Sequence, residues 1–240
     1  MITGIIIALA DEVSSLTSKK VNKGDCIFIN EHTLLCCSGA GPKNAATASQ
    51  LLIDRGAERL ISWGCAAALA PQLKPGDLVL PEQLYSESKQ QLAIDSGWLI
   101  HIKQSLSALK PNSGALAESS VIVAESAEKK KIYQQSKAVA LDMESIAVAK
   151  IAKQQNMPVM VIRCIADPVD MSLPKAVSYA LNKQGDVVLS KLLWFLLTHP
   201  FELPGLIKLG LHFNAAKNKL KLVAKHLDII VGFEQKTANQ

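Results

Sequence analysis

Short apolar runs alternate with amphipathic or alanine-rich stretches along the chain, and this alternation predicts strands that alternate with helices. The apolar runs are rich in Ile, Val and Leu, as is typical of strands buried on both faces of a sheet. Strands are predicted at residues 2–9, 26–30, 33–38, 59–63, 76–81, 120–124, 138–141 and 158–165.

Between these strands, the pattern predicts helices. One begins at Pro42, because proline is well suited to the first position of a helix, where its missing N–H costs nothing. Helices are predicted at residues 42–54, 96–109, 127–135 and 145–155, and over most of the C-terminal region. The alternation is typical of an α/β fold. We therefore expect a three-layer α/β/α sandwich with a central mixed, largely parallel sheet.

Composition fits one folded domain. The chain has 240 residues, of which 49% are hydrophobic and 20% charged, which excludes a disordered chain. We find no internal repeat and no low-complexity linker. The expected organisation is a domain over residues 1–188 with a helical C-terminal extension of the same domain over residues 189–240.

The net charge of +5 is concentrated near the C-terminus. Residues 191–231 contain six lysines against Glu202 and Asp228. The rest of the chain is close to neutral, which argues against nucleic-acid binding by the main body. An anionic surface remains a possible partner of the C-terminal region.

The cysteines and histidines indicate no metal site. The five cysteines are odd in number and show no C-x-x-C spacing, so we expect free thiols in a reducing cytoplasm. The five histidines show neither metal-ligand nor catalytic-triad spacing. No metal and no cofactor are therefore predicted.

Carboxylates follow three of the predicted strands. Glu12 follows the first strand, Asp142 and Glu144 follow the strand 138–141, and Asp167 follows the strand 158–165. Ligands of α/β sheets bind beyond the carboxyl ends of strands. Each carboxylate alone could be an ordinary residue at a helix N-terminus. Three at one edge of a sheet favour a catalytic cluster.

Four segments resemble the superfamily of purine and uridine phosphorylases and methylthioadenosine/S-adenosylhomocysteine nucleosidases. D-M-E-S followed by V-I-R-x-I-A-D is the most specific part of the resemblance, which extends to about residue 170. The segments are GIIIALADEV at 4–13, SGAGPKNAA at 38–46, GCAAALAPQLKPGDLVL at 64–80 and LDMESIAVAKIAKQQNMPVMVIRCIAD at 141–167.

The C-terminal region carries a narrower resemblance. T-H-P-F-E-L-P at 198–204 and the Leu- and Lys-rich helix after it are similar to the hopanoid-biosynthesis-associated branch. Members of that branch are thought to remove adenine from adenosylhopane. The resemblance implies an enzyme that cleaves the N-glycosidic bond of an adenine nucleoside, with adenosylhopane as the expected substrate.

The superfamily resemblance also implies roles for the three carboxylates. Asp167 matches the acid that faces the purine and protonates its N7 atom. Glu144 matches the carboxylate that binds the ribose hydroxyls and stabilises the developing oxocarbenium ion. Glu12 matches the residue that activates the attacking water in the nucleosidases.

Five further residues are expected at the substrate by the same resemblance. Met143 would pack against the sugar, and Gly64 and Cys65 would border the substrate. The purine would lie near Ile122 and Val123, where the family often has an aromatic residue that stacks on the base.

The nucleophile is predicted from two positions at which this sequence departs from the pattern of the phosphorylases. Ser62 stands where the phosphorylases place a phosphate-binding arginine, and Cys65 stands at their hydroxyl position. The absence of this arginine favours water over phosphate as the nucleophile, since arginine is the preferred bidentate phosphate ligand. The alternative reaction is phosphorolysis, with phosphate bound at Gly41 and Lys43. The alternative to an enzyme is a nucleoside-binding sensor. Arg163 lies within an apolar strand and is expected to be buried and paired with a site carboxylate.

The C-terminal region contains six consecutive apolar residues at 192–197. This run is far shorter than the roughly 20 residues needed to span a bilayer. One interpretation is a lid or the interface of a homo-oligomer, of which a dimer is favoured. The other is an interfacial helix that attaches a cytoplasmic protein to the inner face of the membrane.

Overall fold

The computed structural model describes residues 1–88, 90–180 and 189–233, and within them one ten-stranded sheet lies between layers of helices. The strands are β1 (Ile2–Ile7), β2 (Cys26–Asn30), β3 (Thr33–Cys37), β4 (Ala57–Ala68), β5 (Leu78–Val79), β6 (Gln83–Tyr85), β7 (Gln91–Ala93), β8 (Ala115–Glu118), β9 (Ala140–Asp142) and β10 (Val159–Asp167). The α-helices are α1 (Ala10–Val13), α2 (Pro42–Asp54), α3 (Ser96–Ser105), α4 (Ser126–Ser136), α5 (Ser145–Gln154), α6 (Lys175–Ala180), α7 (Leu189–Thr198), α8 (Leu203–Ala224) and α9 (Leu227–Val231).

The sheet is mixed and runs in the order β2-β3-β1-β4-β9-β8-β6-β7, while β10 pairs with β4 and with β5. Strand β1 pairs in parallel with β3 and β4, β10 with β4, and β8 with both β6 and β9. The pairs β2–β3, β4–β9, β5–β10 and β6–β7 are antiparallel. The predicted α/β fold class is confirmed.

The C-terminal region supplies part of one helical layer. Helices α2 and α5 pack against each other and against the sheet, whereas α8 packs against β10, β4 and β5. Ala216, Leu220 and Val223 form the fully buried stripe of α8, at the spacing of one helix face. The predicted boundary after residue 188 adjoins residues 181–188, which lie outside the described part of the chain.

One strand prediction was wrong. No strand forms at the predicted residues 120–124. The strand of this region is β8, which ends at Glu118 because its pairing with β9 ends there, opposite Asp142. Beyond it the chain turns, with the Ser119 hydroxyl donating to the carbonyl of Val121. Strand β4 extends well beyond the predicted 59–63, β5 covers only Leu78–Val79 of the predicted 76–81, and the short strands β6 and β7 were not predicted.

One pair of cysteines also corrects the prediction of free thiols. Cys26 and Cys36 lie directly opposite each other in the antiparallel pair β2–β3 and form a disulfide. Cys37, Cys65 and Cys164 are free thiols. The register of two strands, which cysteine spacing does not reveal, brings the disulfide partners together.

Candidate active site

Strands β1, β9 and β10 bring the predicted site residues to the carboxyl-terminal half of β4. The last residue of β1, Ile7, pairs with Trp63, and Arg163 of β10 pairs with Gly64. Strand β9 runs antiparallel to β4, so its carboxyl end points back along β4 toward Gly64. The three carboxylate-bearing strand ends therefore meet as predicted. Asp167 and Leu141 both pair with Ala67, so the strand ends meet beside the carboxyl-terminal half of β4.

Arg163 is a buried cation of this site. Its Nη2 lies 2.5 Å from Asp142 Oδ2 and 3.9 Å from Glu144 Oε2. The same nitrogen donates to the hydroxyls of Ser62 and Ser145, at 2.7 Å and 3.1 Å. The prediction that Arg163 is buried and paired with a site carboxylate is confirmed. Ser62, at the phosphorylases' arginine position, supports the arginine of β10.

Glu12 is held by two backbone amides. Its Oε1 accepts a hydrogen bond from Cys65 N at 2.7 Å, and its Oε2 accepts one from Leu9 N at 3.2 Å. The side chain is buried, and burial raises the pKa of its carboxyl against the opposing charge of Arg163. A carboxylate with a raised pKa is well suited to take a proton near neutral pH.

Glu144 lies between the starts of α2 and α5. The N–H of Gly41 donates to Glu144 Oε1 at 2.8 Å, and the positive φ of Gly41, 96°, is one that favours glycine. Asp142, rather than Glu144, accepts from the amide and hydroxyl of Ser145 and so caps α5. Burial, followed by the nearby charge of Asp142, raises the pKa of Glu144 to about 7.

Asp167 ends β10 after an irregularity. The register with β4 shifts between Ile165 and Asp167, which changes the direction of the following side chain. Asp167 Oδ1 accepts a 2.7 Å hydrogen bond from the ammonium group of Lys129, a side chain with no exposed surface. Burial raises the pKa of Asp167, and Lys129 opposes the rise.

One cavity of about 320 Å³ collects these groups. Seven of the residues expected at the substrate line it: Glu12, Cys65, Ile122, Val123, Met143, Glu144 and Asp167. Ile122 and Val123 lie on the turn after β8 rather than on a strand. This turn is held by the N–H of Leu173, which donates to the carbonyl of Ala124 at 2.8 Å.

Three expected residues do not line the cavity. Gly64 lies behind it, where a Cβ atom would come within 2.6 Å of Arg163 Nη1 and 2.9 Å of both Glu12 carboxylate oxygens. Gly64 therefore gives the charged pair room, in place of the substrate contact expected for it. Gly41 donates its amide to Glu144, and Lys43 is exposed on α2. Neither residue offers a free group to phosphate in the cavity.

The structure adds residues that the sequence analysis missed. Leu9, Leu173 and Phe213 give the cavity an apolar side, and Phe213 comes from α8. Lys129 belongs to a run of three lysines that appears, in the sequence, to be an exposed face. Helical rotation of 100° per residue could have indicated that one of the three points inward, but not which one.

Comparisons with known proteins identify relatives of this chain in sequence and in fold. A profile of the phosphorylase superfamily matches residues 4–188. The 5'-methylthioadenosine/S-adenosylhomocysteine nucleosidase of Buchnera aphidicola subsp. Baizongia pistaciae is 27% identical over 209 residues, which cover 75% of this chain and 83% of that protein.

Two solved structures are similar in fold. The same kind of nucleosidase from Neisseria meningitidis, in complex with methylthio-immucillin-A, has a TM-score of 0.71 at 19% identity, covering 96% of this chain and 99% of that one. Futalosine hydrolase of Helicobacter pylori has a TM-score of 0.69 at 17% identity, covering 96% and 97%.

The raised pKa of Glu144 predicts a pH-dependent effect of Glu144→Gln on stability. The folded protein binds the Glu144 proton more tightly than the unfolded chain, so ionising this carboxyl lowers stability as pH rises toward about 7. Glutamine cannot ionise. We expect the variant to gain on the order of 2–3 kcal/mol in free energy of unfolding at pH 8 and nothing below pH ~4.5.

Urea denaturation of the parent and the variant, at pH 8 and below pH ~4.5, measures this difference in the free energy of unfolding. Glu31→Gln, at an exposed position in the β2–β3 turn, is the control and should change stability little at either pH. A Glu144→Gln protein that is less stable than the parent at pH 8 would show that the site favours the ionised carboxylate.

Proposed function

Because the chain belongs to the phosphorylase superfamily, we propose that it cleaves the N-glycosidic bond of an adenine nucleoside and releases adenine. The enzyme class expected from the sequence is confirmed at the level of the family. The observation that carries the proposal is that Glu12, Glu144 and Asp167 line one cavity, each held by a different donor. Binding a nucleoside does not require all three, which argues against a sensor.

The reaction begins with the leaving group. The proton of Asp167 passes to N7 of the purine while the bond between the base and the anomeric carbon breaks, and its electron pair stays on the base. The raised pKa of Asp167 favours a carboxyl that carries this proton. Val123 and Ile122 provide an apolar surface for the purine, without an aromatic ring to stack on it.

The other two carboxylates serve the sugar and the nucleophile. Glu144 accepts hydrogen bonds from the ribose hydroxyls and places negative charge beside the developing oxocarbenium ion. Glu12 removes a proton from the water whose oxygen bonds to the anomeric carbon. Met143 packs against the sugar.

Water is the favoured nucleophile. Among the described residues, Arg163 is the one arginine at the cavity, and Asp142 binds it at 2.5 Å. The Gly41 amide serves Glu144, and Lys43 is exposed. Among the described residues that line the cavity, no unpaired cation is left for phosphate, so phosphorolysis of the same bond is the second candidate.

The substrate's 5′ substituent is proposed to be large and apolar. Leu9, Val121 and Ile122 line the cavity and are partly exposed at its mouth, and Leu173 and Phe213 also line it. This apolar rim suits a hydrocarbon better than a charged group. Together with the resemblance of the C-terminal region, it supports adenosylhopane as the proposed substrate.

The role of Asp167 is tested by Asp167→Asn, which keeps the side-chain shape but cannot donate the proton. We expect kcat/KM for adenine release from a soluble adenosine compound to fall by roughly two to four orders of magnitude. The control is Asp170→Asn, because Asp170 is exposed and paired with Lys130 outside the cavity. Near-normal turnover of Asp167→Asn would remove this residue from the mechanism.

The same assay in phosphate-free buffer separates the two nucleophiles. Hydrolysis gives adenine and a free ribosyl product without added phosphate. A strict need for phosphate, with a ribosyl 1-phosphate product, would establish phosphorolysis instead.

We also propose that the surface formed by α7, α8 and the turn between them contacts an anionic membrane. Trp194, Leu197 and Phe201 are 65%, 78% and 74% exposed. Leu203, Ile207 and Leu211 continue this apolar surface along one stripe of α8. The exposed Lys191 precedes Trp194 by three residues of α7, and the exposed Lys208 follows Ile207 in α8. In the described part of the chain, no helix is long and apolar enough to cross a bilayer, so the proposed attachment is peripheral.

The membrane contact is tested by the triple variant Trp194→Ser/Leu197→Ser/Phe201→Ser. Truncation is unsuitable, because α8 covers the sheet. We expect the parent to co-sediment with vesicles of phosphatidylglycerol and phosphatidylcholine, more strongly at low salt, and the variant to lose this binding. Turnover of a small soluble adenosine compound should remain. Phe28→Ser, at an exposed phenylalanine on β2, is the control.

A parent that never binds vesicles would refute the membrane contact. If the triple variant then changes a dimer into a monomer in analytical ultracentrifugation, the surface is instead an interface between copies of the chain.

A further inference from the structure

Lys129 is an unusual lysine. It lies in α4 between exposed residues, and its neighbours Lys130 and Lys131 are exposed, yet its own side chain has no exposed surface. A buried ammonium group is costly unless it is paired and hydrogen-bonded. Its surroundings must therefore provide acceptors.

The ammonium of Lys129 has three acceptors for its three protons. It donates to Asp167 Oδ1 at 2.7 Å, to the carbonyl of Pro168 at 3.0 Å and to the carbonyl of Met171 at 2.7 Å. Its donors are thus all used. One side chain connects the carboxylate to the turn that follows β10 and leads to Leu173, on the wall of the cavity.

We propose that Lys129 is the positioning residue of Asp167: it binds Oδ1 and leaves Oδ2 to face the N7 atom of the base. Among the described residues, none is hydrogen-bonded to Oδ2, and Asp167 keeps 12% of its side chain exposed on the cavity side. This inference rests on the proposed cleavage of an adenine nucleoside, because it assigns Oδ2 to the leaving base.

The charge of Lys129 also sets the acidity of the general acid. Burial favours the protonated carboxyl and the ammonium favours the ionised one, so removing the ammonium raises the pKa of Asp167. Lys129 is the charged group in contact with Asp167 within the described chain. The other ionisable groups that line the cavity are Glu12, Cys65, Asp142, Glu144 and Arg163.

The experiment compares Lys129→Met with Lys130→Met on adenine release across pH. Lys130 lies on the same helix but is exposed and pairs with the exposed Asp170. Because activity needs protonated Asp167, we expect Lys129→Met to move the alkaline limb of kcat/KM to higher pH and to lower kcat about 100-fold, as expected for a misplaced catalytic group. Lys130→Met should leave both unchanged.

The double variant Lys129→Met/Asp167→Asn tests whether Lys129 acts through Asp167. We expect its kcat to equal that of Asp167→Asn alone. An unmoved alkaline limb in Lys129→Met, or a further loss in the double variant, would show a merely structural role. If Lys129→Met does not fold, Lys129→Gln takes its place with the same expected directions.

A readout that does not need turnover separates this inference from the proposed function. The carboxyl carbon of Asp167, assigned by its absence in Asp167→Asn, can be titrated by NMR in the parent and in Lys129→Met. A higher midpoint in the variant supports the contact even if the parent releases no adenine, a result that would refute the proposed function alone. Equal midpoints would overturn the inference for Lys129.

Discussion

The site depends on one buried guanidinium, that of Arg163, among the carboxylates of Glu12, Asp142 and Glu144. Arg163 contacts Asp142, reaches toward Glu144 and lowers the pKa of Glu12 against the effect of burial. Without this cation, three like charges would lie close together with little solvent, at a cost of several kcal/mol per ion. Gly64 makes the arrangement sterically possible, because any side chain there would collide with both Arg163 and Glu12.

One cation does not balance three carboxylates, and this imbalance fits the proposed chemistry. Burial leaves Glu12 and Glu144 with raised pKa values, that of Glu144 at about 7. Asp167 has a cation of its own, Lys129 of helix α4. Environments that differ between carboxylates allow one to act as an acid and another as a base at the same pH. The loss of stability from buried charge is the ordinary counterpart of such a site.

The sequence predicted the architecture and the central carboxylates because both depend on local signals. Apolar periodicity indicated most strands and helices, and the carboxylates follow apolar strands in a recognisable motif. Pairing partners carry no such signal. The disulfide between Cys26 and Cys36, the inward direction of Lys129 and the contribution of Phe213 all depend on which distant elements meet. The placement of Ile122 on a strand was wrong because β8 ends where its partner β9 ends.

A crystal structure with a non-hydrolysable adenosine analogue tests the central claim most directly. The account predicts the analogue inside the cavity, with Asp167 Oδ2 within hydrogen-bonding distance of the N7 position, roughly 2.6–3.2 Å. Glu144 should bind the ribose hydroxyls, and Glu12 should face the anomeric carbon through a water molecule. An analogue bound with its ribose at Asp167 and its base at Glu144, or bound outside this cavity, would contradict the account.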